Sequence, residues 1–267
     1  MGKSQQTERA AGLLERLYGS GAISRGSTDA LLATGLAAPQ IENGLGKTAS
    51  SNELLLASVL VDDSPSIASS IEEIRFGHSL MLEALGSESG ASTDVHVLTS
   101  ALNRGVISPY TEIERALTLN DRNFNQGNLG SGTPLYRQTV VTLGTVLAKS
   151  QEVEERGGAV RTFTLLITDG ADNASDPVTA AHARTLIDDM LNFSSNHIVA
   201  GMGVGTSADF RKVFMSMCIP SNWIFTPGSS VDDLKEVFRK IARSLQIAAA
   251  SESGFLQLVA GPDSDDG

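Results

Sequence analysis

Apolar positions along the chain follow two rhythms. Leu54–Val61 is a continuous apolar run of strand length, and Ser66–Leu85 after it carries Ile67, Ile71, Ile74, Leu80 and Leu82 at helical spacing. Short apolar segments at Val95–Leu98, Phe163–Ile167, Ile198–Val204 and Trp223–Phe225 predict further strands. Val106–Ile113 predicts an edge strand, because Pro109 has no N–H to give to a ladder. Helices are predicted at Pro134–Ala148, Pro177–Phe193 and Val231–Ala250, with Pro177 in the first turn of its helix. Strands alternating with helices imply βαβ units. The expected fold is α/β: a doubly wound, mostly parallel six-stranded sheet flanked by helices.

Two regions break the alternation. Residues 1–52 are rich in Gly, Ser and Ala and read as an N-terminal helical arm and linker. One helix there shows Ala10, Leu13, Leu14 and Leu17 on a stripe. A second starts from a cap at Ser27 and runs through Leu31 and Leu32 towards Pro39, and Asn43–Asn52 reads as the linker. The arm has too little apolar surface for its own core, so it is expected to dock on the body or on a partner. Residues 53–250 are the α/β domain. Residues 251–267 form an acidic C-terminal tail with one apolar patch, Phe255–Ala260, ending in Asp263, Asp265 and Asp266, and are expected to fray.

A formal net charge of −11 disfavours a phosphate backbone as partner, so nucleic acid is not an expected partner. The single cysteine, Cys218, allows no internal disulfide and reads as a small buried apolar side chain in a reducing compartment. No apolar run approaches the ~18 residues of a membrane span, and Met1–Ala11 is polar where a secretory leader would be apolar. Gln6 breaks the myristoylation pattern after Gly2. The expected setting is cytoplasmic, with no membrane.

Three short motifs carry candidate chemistry. Asp62-Asp63-Ser64-Pro65-Ser66 lies where the first strand meets the first long helix, and offers a carboxylate and two hydroxyls to a hard cation. Read alone, it is a helix cap. Gly130-Ser131-Gly132-Thr133-Pro134-Leu135 is a glycine-rich turn entering a helix, and alone reads as turn plus cap. Thr168-Asp169-Gly170 follows a strand directly, an acid at the sheet edge where open α/β folds bind ligands. Gly46-Lys47-Thr48 is no phosphate loop, since Ile41 stands where the pattern needs glycine and no strand precedes it. Gly201–Gly205 reads as a small-residue strand end rather than a dinucleotide loop, because Thr206 follows it. His78, His96, His182 and His197 have no ligand spacing.

Taken together, the three motifs resemble the metal-ion-dependent adhesion site (MIDAS) of the von Willebrand factor A (VWA) family. Its D-x-S-x-S, distant Thr and distant Asp match Asp62, Ser64, Ser66, Thr133 and Asp169 in order. Pro65 replaces a common glycine. The likeness covers about residues 53–248 and is similar to intracellular bacterial VWA proteins of tellurium-resistance and stress modules. It implies strand order 3-2-1-4-5-6 and one Mg²⁺ or Mn²⁺. It further implies Ser64, Ser66 and Thr133 as direct ligands, and Asp62 and Asp169 acting mainly through water. The implied function is a non-enzymatic scaffold or adaptor module that captures a Glu or Asp side chain of a protein partner on the ion. The alternative is a metal-dependent hydrolase or phosphatase using Asp62, but Ser64 occupies the place where such an enzyme needs a second Asp.

Overall fold

The computed structural model describes residues 12, 15–35, 37–47, 53–88, 93–205, 208–228 and 230–259. Six strands, β1 (Glu53–Val61), β2 (Asp94–Ala101), β3 (Gly105–Glu112), β4 (Ala159–Thr168), β5 (His197–Gly203) and β6 (Ile224–Phe225), make one sheet. Its order is β3-β2-β1-β4-β5-β6. Every neighbouring pair is parallel except the β2/β3 hairpin. The sheet is therefore doubly wound and mostly parallel, as the sequence rhythm predicts. β1 is buried from Leu54 to Val61, which is why its apolar run does not alternate. Pro109 lies exposed on edge strand β3, beside a shift in the β2/β3 register.

Eight helices have defined bounds: α1 (Arg25–Ala33), α2 (Ala37–Gly44), α3 (Ile71–Glu88), α4 (Leu135–Glu154), α5 (Ala180–Phe193), α6 (Phe210–Ser216), α7 (Val231–Ala250) and α8 (Glu252–Val259). The β1–α3–β2 and β4–α5–β5 crossovers run in opposite directions along the sheet. Right-handed connections therefore place α3 and α5 on opposite faces. α7 packs along α3, and α8 on α7. The close approach of α3 to α7 needs Gly77, where a β-carbon would stand 2.2 Å from the Phe238 ring.

The arm helices extend the other layer. α1 packs on α5, and α2 on α4. A β-carbon at Gly144 of α4 would lie 2.6 Å from Leu31 and 2.9 Å from Ile41. This cover leaves fifteen of the twenty α4 residues buried. Asp189 of α5 accepts from the Ser24 N–H at 2.6 Å and the Ser27 hydroxyl at 2.5 Å. Lys149 Nζ donates to the Lys47 carbonyl at 2.6 Å, fixing the chain that leaves α2.

Several boundaries differ from the sequence reading. The cap of α1 is Ser24, not Ser27, which is buried inside the helix and turned to Asp189. α1 stops at Ala33, and Pro39 falls in the first turn of α2, where its missing N–H has no partner to lose. Ser66 lies in a 3-10 turn, Pro65–Ser70, that precedes α3. Pro177 stands before α5 rather than in its first turn, and Thr179 with His182 forms the capping box. α6 had no counterpart in the sequence reading. Residues expected to fray after Ser251 form α8 as far as Val259, because Phe255 and Leu258 are buried. Ala10, Leu13, Leu14, residues 48–52 of the linker and the acidic residues Asp263, Asp265 and Asp266 lie outside the described residues.

Candidate metal centre

The site forms at the switch point of the sheet, between the carboxyl ends of β1 and β4. Val61 is in register with Ile167, so Asp62 and Asp169 each emerge just past the ladder on adjacent strands. Loops diverge from this edge in opposite directions and leave a crevice. The ladder closes with Asp62 N–H donating to the Ile167 carbonyl at 2.8 Å.

Four of the five residues singled out in the sequence are in direct contact. Ser66 Oγ donates to Asp169 Oδ1 at 2.9 Å, Ser64 Oγ lies 3.5 Å from the same oxygen, and the two serine hydroxyls are 3.0 Å apart. Asp62 is fully buried, its Oδ1 accepting from the Ser64 N–H at 2.8 Å and its Oδ2 from the Thr168 hydroxyl at 2.7 Å. Ser66 is exposed and opens the cluster to solvent. Thr133 is buried and stands across the crevice: a β-carbon on Gly170 would lie 3.9 Å from its hydroxyl.

The capping reading fails at two of the motifs. Ser64 occupies the cap position of the 3-10 turn yet makes no side-chain capping bond; its hydroxyl is turned to Ser66 and Asp169. The first turn of α4 is capped from the third loop, by Asp172 Oδ1 accepting from the Tyr136 N–H at 3.1 Å and Ser175 Oγ from the Arg137 N–H at 3.0 Å. Thr133 is held by a different pair of bonds. Its N–H donates to Asn173 Oδ1 at 2.7 Å, and its carbonyl accepts from the Asn173 N–H at 3.1 Å.

Asp63, which the motif leaves unspecified, is as buried as Asp62. It accepts from Asn103 and Arg104 at the β2–β3 turn. Asp63, Asn103, Arg104, Asp172, Asn173 and Ser175 were all missed in the sequence. Their types are common in turns, and only the fold brings them together.

Burial pushes the Asp169 carboxyl above its ordinary value; the Ser66 hydrogen bond opposes the rise and the nearby Asp62 charge adds to it. The donor set suits a hard cation. Oxygen ligands at ~2.0–2.1 Å in an octahedron sit about 2.9 Å apart along each edge. The Ser64, Ser66 and Asp169 oxygens make a triangle of 3.0, 2.9 and 3.5 Å, close to one octahedral face. Without an ion the same spacing serves hydroxyl-to-carboxylate hydrogen bonds. Among the described residues no group of three His, Cys, Asp or Glu side chains is gathered to hold a metal, so a soft-ligand zinc site has no support there. Burial lowers His78 and His197 to about 4 each, which suits core histidines. Cys218 is half-buried rather than buried, and its thiol is raised by burial and by Asp188.

No family model and no curated protein sequence matches the chain. Solved structures do. Proximal thread matrix protein 1 from the mussel byssus is 18% identical at TM-score 0.47, over 73% of this chain and 48% of that one. A further structure of that mussel protein, at 17% identity and TM-score 0.47 with the same coverage of 73% and 48%, has its MIDAS motif occupied by zinc. A von Willebrand factor type A protein from Catenulispora acidiphila is 16% identical at TM-score 0.45, covering 74% of this chain and 44% of that one. This chain thus spans less than half of either protein. At such identities and scores, neither ligand nor assembly transfers from them. No described helix is long and apolar enough to cross a membrane.

Proposed function

We propose that the chain is a VWA-type module that holds one hard divalent cation, Mg²⁺ or Mn²⁺, through Asp62, Ser64, Ser66, Thr133 and Asp169. Its role is to bind a protein partner that offers a Glu or Asp side chain to the ion. The observation that carries this reading is the convergence of Ser64, Ser66 and Asp169 on one solvent-open point, with Asp62 locked behind them. With Asp169 the one carboxylate at the open point beside neutral hydroxyls, the ion's charge would be only partly compensated. A bound Mg²⁺ would supply an electrophilic point on an otherwise acidic molecule, and a partner carboxylate is a hard donor suited to it. The lone cysteine supports a cytoplasmic setting.

The hydrolase alternative needs Asp62 as an accessible nucleophile. Asp62 is fully buried with both oxygens accepting hydrogen bonds, which speaks for a binding module instead. Calorimetric titration with Mg²⁺ and Mn²⁺ tests the proposal. The wild type should bind one equivalent. Asp62→Ala and Asp169→Ala should keep the folded circular-dichroism spectrum and lose binding: removing one of two neighbouring acids relieves repulsion, which at Asp62 offsets part of the cost of leaving the Ser64 N–H and Thr168 hydroxyl without their acceptor. Absence of binding to the wild type at millimolar metal rules the proposal out.

A further inference from the structure

Asp63 lies between two of the proposed ligands, yet its side chain faces away from them. Its Oδ1 accepts from the Asn103 N–H at 2.7 Å and from Asn103 Nδ2 at 2.9 Å, and its Oδ2 pairs with Arg104 Nε at 3.1 Å. Its backbone carbonyl accepts from the Gly130 N–H at 2.7 Å. Asn103 Nδ2 also reaches the Gly132 carbonyl, at 3.1 Å. Arg104 Nη1 donates to the Asn123 carbonyl at 2.8 Å, with the guanidinium over the Phe124 ring. The packing leaves no slack: a β-carbon at Gly130 would stand 2.3 Å from Asn103.

A buried carboxylate is costly unless it is paired and hydrogen-bonded, and Asp63 is fully buried. Its partners come from the β2–β3 turn and from the glycine turn that delivers Thr133. Thr133 is thus gripped from one side by Asn173, and its turn is gripped from the other by Asp63 and Asn103.

We propose that Asp63, neutralised by Arg104, is the positioning residue of the metal centre. Through Asn103 it ties the Gly130–Thr133 turn to the Asp62–Ser66 loop, and so holds Thr133 in place across the crevice from the other proposed ligands. This rests on the metal-binding reading above. Outer partners that orient ligands typically change metal affinity by about 10–100-fold when lost.

The test is calorimetric titration of the full chain with Mg²⁺ and with Mn²⁺, run beside amide hydrogen exchange of residues 130–133 in EDTA. Asp63→Asn keeps the shape and removes the charge. Arg104→Gln changes a side chain that is 30% exposed, and serves if the buried variant fails to fold. Each should weaken metal binding at least about 10-fold and speed exchange in the turn, while Arg104→Lys restores part of the affinity. Arg104→Gln added to Thr133→Ala should cost little more than Thr133→Ala alone, because both act through one ligand. Affinities within about two-fold of wild type, or fully additive losses in the double variant, overturn the proposal. If the wild type binds neither ion, the metal reading falls by itself. The exchange data then decide the brace: unchanged protection at 130–133 in both single variants overturns it.

Discussion

At Asp169 burial and the neighbouring Asp62 charge hold the proton to a higher pH than in the unfolded chain, whose value is near 3.8. The direction fixes the pH response. The metal-free folded state binds more protons than the unfolded state between 3.8 and the raised folded value, so its stability falls as pH rises through that window. In the proposed site metal binding would need the carboxylate and compete with the same proton. The stabilisation added by Mg²⁺ should therefore shrink as pH falls through the raised value. Thermal melts in Mg²⁺ and in EDTA, from neutrality down to about pH 4, measure this as the difference between two midpoints. A difference that stays constant down to the ordinary carboxylate range would place Asp169 outside the ion's ligand set.

Among the elements, α8 and α6 show how packing overrides local signals. α8 follows α7 after one extended residue, Ser251, and buries Phe255 completely. Phe255→Ala should lower stability by ~3–5 kcal/mol, the usual cost of emptying an aromatic core position. Denaturant unfolding checks it; a loss below about 1 kcal/mol would mean that α8 frays in solution. α6 ends without a glycine. Cys218 takes the left-handed conformation there (φ 68), while the Ile219 N–H returns to the Phe214 carbonyl at 3.2 Å. Glycine is the usual residue at such a stop, so the sequence carried no mark of where this short helix ends, although Asp209 caps its start by accepting from the Lys212 N–H at 3.1 Å.

For the molecule as a whole, an ion held in the proposed site would be a ligand of the folded state alone, because the three loops that carry Asp62, Thr133 and Asp169 meet only after the sheet forms. Magnesium at about a hundred times its dissociation constant should stabilise the chain by ~2.7 kcal/mol. For a protein of this size that is a rise of roughly 5–10 °C in melting temperature, reversed by EDTA. Added sodium chloride should change the shift little, because Asp62, Ser64 and Asp169 are buried and poorly screened. A midpoint that does not respond to millimolar Mg²⁺ would count against a built site. The arm belongs to the same folding unit in energetic terms: Leu17, Leu31 and Ile41 are buried in the main core cluster.

The βαβ rhythm, the edge position of Pro109 and the places of Asp62, Thr133 and Asp169 at strand ends and helix starts are legible in the residues alone. These are local properties: an apolar run stops, a glycine or proline follows, and the polar residue at the junction falls on the carboxyl edge of the sheet. The Val231–Ala250 helix was legible from its amphipathic pattern, and the structure adds the Ser230 cap that starts it. The tertiary structure decided the partners. Asp63 and Asn103 are forty positions apart, as are Thr133 and Asn173, and Asp62 and Thr168 are 106 apart. Nothing in their residue types distinguishes them from ordinary turn formers. Whether Ser27 caps a helix or anchors it to Asp189, and whether Phe255 frays or packs, depends on what stands opposite in space. Periodicity and turn chemistry act over a few residues; burial and hydrogen-bond pairing across the sheet edge are set only when the layers close.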